Sequence, residues 1–226
     1  MVIDDSQDIA FSNNRIINPE KLKRRHLYHF CKRVADVVLS TCGLVALSPI
    51  LLIIAGTIKH EEKGGTIIYK QQRVGKNGKL FSIYKFRSMC MDADKKLEEL
   101  KQLNEVEGAM FKLHNDPRVT KIGKLLRRTS LDELPQLYNV LKGDMSLVGP
   151  RPPLPNEVAE YTDYDKQRLL VIPGCTGLWQ VSARNEVGFH EMVELDLQYI
   201  KKSGLLYDLA IVLKTVKIMI VPNGAY

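Results

Sequence analysis

Residues 34–58 form an apolar run of about 25 residues with one charge, Asp36, near its start. A helix of that length can span the hydrocarbon core of a bilayer. Ser48-Pro49 interrupts it near the middle. Proline in a helix interior removes a hydrogen bond and costs about 3 kcal/mol or more, favouring a kink or break. Ser48 can help satisfy a backbone group that Pro49 frees, which lipid would otherwise leave unpaired. Both flanks are basic, whereas a single span gathers its Lys and Arg on one side. The simplest geometry is a re-entrant helix, broken at Ser48-Pro49, that returns to the face it entered. A kinked transmembrane helix and a buried soluble helix stay open on the residues alone. A cleaved signal peptide does not fit, because the run is too long and starts too late.

The flanking composition extends this picture. Residues 21–33 carry six basic side chains and no acid, interleaved with Leu22, Leu27, Tyr28 and Phe30. Such a stretch suits an anionic lipid surface. Residues 1–20 are polar and read as a flexible tail. The formal net charge of +7 implies an anionic partner: nucleic acid, anionic lipid or phosphorylated small molecules. Cys31, Cys42, Cys90 and Cys175 are scattered, which argues against a zinc site or a disulfide framework. His26 and His29 lack partner ligands and read as interfacial or packed side chains. Residues 205–221 are apolar but carry Asp208, Lys214 and Lys217. They predict an amphipathic helix, either on the membrane or against the core.

At 226 residues the chain can build one good-sized core, and two full domains would be unusual. Beyond residue 59 two strands, over residues 66–74 and 80–86, flank a Gly75-Lys76-Asn77-Gly78 turn. Neither a P-loop nor a dinucleotide fingerprint occurs. Residues 92–107 read as a charged, solvated helix. Residues 121–128 put Ile122, Leu125 and Leu126 at helical spacing opposite Lys121, Lys124, Arg127 and Arg128.

The densest chemistry lies in residues 127–136, RRTSLDELPQ. Pro135 belongs in the first turn of a helix, so Asp132 and Glu133 fall at its amino end, where anions are stabilised. Arg127 and Arg128 could hold phosphate beside them. Ser130 to Glu133 also fits S-x-x-E, a capping box. Cap and catalytic dyad are compatible, and spacing alone does not decide between them. Gly143 reads as a helix stop. After it, Pro150-Arg151-Pro152-Pro153 stiffens the backbone around one guanidinium, which suits phosphate or uracil-type recognition; an ordinary surface salt bridge fits as well. The segment PGCTGLWQVSARN, residues 173–185, holds the single tryptophan, Trp179, and then Arg184. Trp179 could stack on a base or anchor the core.

As a set, KRVADVVLS…LSPILLI, YKFRSM, RRTSLDELPQLYNVLKGDMSLVGPRP and PGCTGLWQVSARN resemble the bacterial sugar transferases, the monotopic phosphoglycosyl transferases. The likeness runs from about Lys32 to the C-terminus. It implies transfer of a phosphosugar from a UDP-sugar to a polyprenyl (undecaprenyl) phosphate with release of UMP, and dependence on Mg²⁺. By motif position Asp132 would be the nucleophile, with Glu133 its partner in the dyad and Mg²⁺ bound through one or both. Arg127, Arg151 and Arg184 would contact phosphates or uridine, and Lys85 and Arg87 would line the site. Ala183 departs from the glycine often found before Arg-Asn. Larger members carry extra membrane helices and a further domain, so this chain resembles the minimal catalytic form.

The expected fold is therefore α+β: a mostly helical catalytic domain with a small β-hairpin, anchored by an N-terminal re-entrant membrane helix and interfacial amphipathic helices. Its expected parts are a tail (1–20), the basic and re-entrant segment (21–59) and a sugar transferase domain (60–226) on the cytoplasmic face of a bacterial inner membrane. The expected partners are UDP-sugar, polyprenyl phosphate and anionic lipid, without nucleic acid; monomer and homodimer stay open. The product would enter exopolysaccharide, capsule, O-antigen or glycoprotein glycan assembly. The same reaction by single displacement, with both carboxylates binding metal, is the rival within enzymes. A non-enzymatic basic membrane-surface protein is the rival outside them, and it leaves RRTSLDELPQ and the proline-framed Arg151 unexplained.

Overall fold

The computed structural model describes residues 17–62, 64–100, 113, 116–182 and 188–220. Most of the expected tail lies outside the described residues, and so does Arg184. The first helices are α1 (Pro19–Lys23) and α2 (His26–Glu61). Asn18 opens α1 by accepting the Glu20 and Lys21 N–H groups, the ordinary work of an asparagine cap.

The expected break at Ser48-Pro49 is not a loss of helix: α2 is helical straight through it. Pro49 has no N–H for the Val45 carbonyl one turn back. The Ser48 hydroxyl donates to that carbonyl at 2.8 Å instead, so the freed acceptor is satisfied within the helix. By length and composition α2 is apolar enough to cross a membrane.

One stripe of α2 nevertheless faces the rest of the protein at points along most of its length. Arg33 donates to the Val140 and Leu141 carbonyls at 2.6 and 2.8 Å. Asp36 accepts the Leu147 N–H at 2.9 Å. A side chain at Gly43 would meet Leu137 at 3.3 Å. Further along, Ile54 and Ile58 pack with Phe86 and Leu126, and Glu61 accepts the Lys121 and Ile122 N–H groups. The other faces expose Phe30, Val34, Val38, Val45, Leu52 and Ile53.

The polypeptide then forms the expected hairpin. β1 (Ile68–Val74) and β2 (Leu80–Phe86) pair antiparallel, with Ile68 opposite Phe86 and Val74 opposite Leu80. Asn77 and Gly78 turn the chain at φ 56° and 79°, the left-handed geometry that Asn-Gly supplies at low cost. Helix α3 (Ala93–Leu100) covers the start of the charged stretch. α4 (Lys121–Thr129) is capped by Thr120. Its Gly123 lies so close to strand-side backbone that a Cβ would sit 2.0 Å from the Ser88 carbonyl oxygen.

α5 (Gln136–Lys142) ends at Gly143 with φ 90°, as the sequence predicts. β3 (Ser146–Val148) and β4 (Gly174–Thr176) pair parallel, flanking α6 (Pro155–Ala159). Just past β3, a Cβ on Gly174 would fall 2.0 Å from the Gly149 nitrogen. Bare backbone on both sides is what lets the loop carrying Arg151 lie against β4. α7 (Leu178–Ser182), α8 (Phe189–Lys202) and α9 (Leu205–Ile220) complete the described chain.

The main core joins Val148, Leu178, Val193, Leu197, Ile200 and Ile211, and a second cluster joins Phe81, Ile83, Val140 and Met145. The result is an α+β fold, mostly helical, with a small hairpin. α9 turns Ile211 into the core and leaves Leu206, Leu209 and Leu213 exposed. Its Asp208 meets α2, where Lys32 donates to it at 2.8 Å and Tyr28 at 2.9 Å, while Tyr199 donates from α8 at 2.8 Å.

Candidate functional site

Asp132 and Glu133 occupy a short 3-10 turn, Leu131–Glu133, between α4 and α5. The expected capping box is not formed. Ser130 ends α4 in the left-handed region, φ 57°, and makes no side-chain cap hydrogen bond. Committed to closing one helix, it cannot also cap the next. α5 instead starts after Pro135, so the dyad precedes its first turn.

Asn139 fixes the turn against the hairpin. This buried α5 residue accepts the Tyr84 N–H at 3.0 Å and donates to the Ser82 carbonyl at 2.7 Å, taking up backbone groups of β2. The next β2 residue, Lys85, is thereby held where its Nζ donates to Glu133 Oε1 at 2.7 Å. Burial raises the Glu133 carboxyl, but the charge and hydrogen bond of Lys85, with Arg151 and Gln136, outweigh it and hold it below the ordinary glutamate value. Asp132 behaves oppositely. Burial foremost pushes it up to about 6, Glu133 adds to the rise, and Lys85 and Arg127 oppose it. Two neighbouring carboxyls with values driven apart are a common mark of divided labour at reacting centres.

A cavity of about 150 Å³ opens beside Glu133. Lys85 and Arg73 reach it from the hairpin, Gln136 from α5, Arg151 and Pro152 from the proline loop, Cys175 from β4, and Trp179 and Gln180 from α7. Three cations thus surround a space whose wall holds one carboxylate. Asp132 is not among the lining residues; it lies next to them in the chain and feels the Lys85 and Arg127 charges. Burial, then Glu133 and Asp36, drives the Cys175 thiol far above its ordinary value, so it presents a neutral S–H and is no rival nucleophile. The Trp179 ring N–H is buried without an acceptor among the described residues.

The proline loop is held from two sides. The Val74 N–H donates to the Pro153 carbonyl at 2.9 Å, and Arg73 donates to the Pro152 carbonyl at 3.0 Å. Arg151 lies 3.6 Å from Glu157. Behind it, Arg168 pairs with the fully buried Asp196 at 2.6 Å and donates to the Tyr161 hydroxyl at 2.7 Å.

Of the residues expected in a site, Lys85, Asp132, Glu133 and Arg151 come together. Arg127 acts on Asp132 through its charge while its Nε donates to the Ser88 hydroxyl at 3.0 Å. Arg87 is engaged elsewhere, donating to the Thr66 carbonyl at 2.8 Å and lying over the Tyr69 ring. Arg184 lies outside the described residues. Sequence reading missed Arg73, Gln136 and Asn139. Gln136 is adjacent to the dyad motif and was available from it; Arg73 and Asn139 depend on partners far along the chain.

Among the described residues no group of three potential metal ligands occurs. Mg²⁺ does not need one: it keeps several waters and binds through one or two carboxylates plus substrate phosphate. Asp132 and Glu133 fit that requirement. Burial, with no paired cation among the described residues, is what lifts Asp132, and a divalent ion there would reverse the lift.

A carboxylate pair, a ring of cations and a long apolar helix on one body define a membrane-associated class of protein built to handle anions. The sequence profile of the bacterial sugar transferase family matches residues 27–222, and the chain belongs to that family. It is 47% identical over 204 residues to the galactosyl transferase CpsE of Streptococcus agalactiae, covering 90% of this chain and 44% of that one. It is 47% identical over 201 residues to the undecaprenyl-phosphate galactose phosphotransferase of Salmonella typhimurium, covering 87% and 42%. The exopolysaccharide production protein ExoY of Sinorhizobium fredii is 42% identical over 199 residues, covering 86% of this chain and 88% of ExoY. The chain therefore spans less than half the length of the first two relatives and most of the third.

Proposed function

We propose that the chain is a phosphoglycosyl transferase that moves a sugar phosphate from a UDP-sugar to a polyprenyl phosphate. The observation that carries this reading is the split dyad: Glu133 neutralised by Lys85, with Asp132 beside it and free of an ion pair among the described residues. The relative from Salmonella, a phosphotransferase acting on undecaprenyl phosphate by its name, supports the acceptor class. The family resemblance supplies the donor class.

Asp132 attacks the sugar-bearing phosphorus, an oxygen–phosphorus bond forms, and the phosphoanhydride bond breaks with departure of UMP. An aspartyl-phosphosugar remains. An oxygen of the polyprenyl phosphate then attacks the same phosphorus and expels the Asp132 carboxylate, giving a polyprenyl diphosphosugar. Lys85 keeps Glu133 ionised, and Arg151 faces the charge that builds on the departing phosphate. Mg²⁺ held by Asp132 and Glu133 would supply positive charge for an anion approaching an anion.

The re-entrant, one-face placement of α2 is supported by its stripe of contacts. Between Gly43 and Ile54, the widest gap among those named, fewer residues intervene than the ~20 a span requires. The exposed apolar faces of α2 and α9 would then lie in the lipid of the bacterial inner membrane, with the site on the cytoplasmic side. An impermeant thiol reagent applied to intact cells tests this through a cysteine placed in the N-terminal tail, which should stay unlabelled.

For the chemistry, the purified chain is mixed with a panel of UDP-sugars without lipid acceptor. One sugar should give a stoichiometric burst of UMP and a matching mass increase on the peptide containing Asp132. UMP release that waits for undecaprenyl phosphate would replace the covalent step by direct displacement. No UMP release with any sugar and acceptor would remove the transferase reading itself.

A further inference from the structure

Arg73 is a buried charge that the steps above leave without a task. It is 7% exposed, near the end of β1, and lines the cavity with Lys85 and Arg151. Its Nη1 donates to the Pro152 carbonyl at 3.0 Å and its Nη2 to the Gln71 side-chain oxygen at 2.7 Å; both acceptors are neutral. Its Nε is buried and has no acceptor among the described residues. The carboxylates nearby are committed: Glu133 to Lys85 at 2.7 Å, and Glu157 to Arg151 at 3.6 Å.

A buried guanidinium with neutral acceptors and a second guanidinium for a neighbour is poorly compensated. Burial first, then Arg151, pull it down to about 10 against Glu157 and Glu133, and it remains charged at neutral pH. An arrangement of this kind is stabilised by an anion that arrives with a ligand.

Cavities for whole drug-sized ligands run to about 300–1,000 Å³, so about 150 Å³ accommodates a fragment of a nucleotide sugar. The wall contains Glu133 and not Asp132. The phosphate that Asp132 attacks must lie at Asp132, which leaves the cavity to the adjacent phosphate. We infer that Arg73 is a ligand-contact residue which, with Arg151, holds the phosphate that departs as UMP. This rests on the phosphoglycosyl transferase reading and adds to it a residue and a subsite.

The test compares equilibrium binding of UMP and of uridine to the full chain and to Arg73→Met and Arg73→Lys, without Mg²⁺. Arg73→Met should weaken UMP at least tenfold and Arg73→Lys less, with uridine unchanged and product inhibition by UMP falling in step. Equal losses for UMP and uridine would mean that Arg73 only props the Pro152 carbonyl, and would overturn the inference. Unchanged UMP binding overturns it too. Should neither variant fold, the Arg73 Nε–H resonance of the ¹⁵N-labelled wild-type protein is followed instead. A shift with UMP and pyrophosphate but not with uridine supports the contact, and no shift with UMP overturns it. A wild-type chain that releases UMP normally while the variants bind UMP as it does defeats this inference alone. A wild-type chain that neither binds UMP nor releases it from any UDP-sugar defeats the transferase reading and takes this subsite with it.

Discussion

Asp132 and Asp208 are equally hidden, each 8% exposed, yet their surroundings are opposite. Asp208, at the junction of α2, α8 and α9, receives Lys32, Tyr28 and Tyr199 at 2.8–2.9 Å. Asp132 has no such set of donors among the described residues and is lifted to about 6. Among the described residues, one buried aspartate is fully answered by its own fold and the other is not. Burial therefore does not separate the two aspartates, whereas completeness of the described partner set does. Two buried arginines repeat the contrast: Arg168, behind the cavity, has the fully buried Asp196, while Arg73, in the cavity wall, has neutral oxygens.

The same substitution should consequently act with opposite sign at the two places. Asp132→Asn should cut sugar-phosphate transfer by on the order of 10⁴-fold or more, the scale seen when a nucleophile is removed, measured as UMP release with lipid acceptor. It should also stabilise the Mg²⁺-free protein. A carboxyl raised from 3.8 to about 6 binds its proton more tightly when folded. Its share of stability is present below the unfolded value and is lost as pH rises through about 6, roughly 3 kcal/mol by pH 7.5. Thermal melts should show the Asn variant above wild type at pH 7.5 and level with it near pH 4. A variant less stable than wild type at pH 7.5 would break the comparison.

At the junction, Asp208→Asn or Lys32→Met should destabilise by about 3 kcal/mol, since either leaves a largely buried charge unanswered. A Lys32→Met/Asp208→Leu double substitution should recover most of that loss. Transfer per folded molecule should change little, which separates junction from site. Lys85→Met sits between the two cases. It should lower transfer by about 10²–10³-fold and release the Glu133 carboxyl from its depressed value, moving the acid limb of the pH profile upward.

The smallest effect belongs to Ser48→Ala. It should cost about 1 kcal/mol by orphaning the Val45 carbonyl. Ser48→Ala/Pro49→Ala should restore it, because residue 49 again has an N–H. Differential melts of the two variants in one detergent suffice.

Much of the frame was legible in the residues. The hairpin announced itself through Asn77-Gly78, the end of α5 through Gly143, and the partner of the Pro49 gap through Ser48. What misled was local sufficiency. Ser130 to Glu133 satisfies a capping pattern on paper, but Ser130 has already been spent closing α4. Pro49 favoured a kink or break on paper, but with Ser48 bonding the Val45 carbonyl α2 stays helical through it. What stayed hidden was long-range. Asn139 matters because β2 presents two unpaired backbone groups 55 and 57 residues earlier. Arg73 matters because a proline loop 79 residues later offers it only a carbonyl. In the site, the Asp132-Glu133 pair was visible as chemistry, while the asymmetry between its members needed the third dimension to supply Lys85.

The length of α2 touching the body has a mechanical side. α2 bears on α5 through Arg33 at one end and Gly43 further along, and α5 begins three residues after Glu133. Helix and turn form a short lever, and in the proposed placement lipid would act on α2 with the Asp132-Glu133 turn at the tip. Because Asn139 ties α5 to β2, a bilayer that tilts α2 in that placement would carry Glu133 and Lys85 together rather than part them.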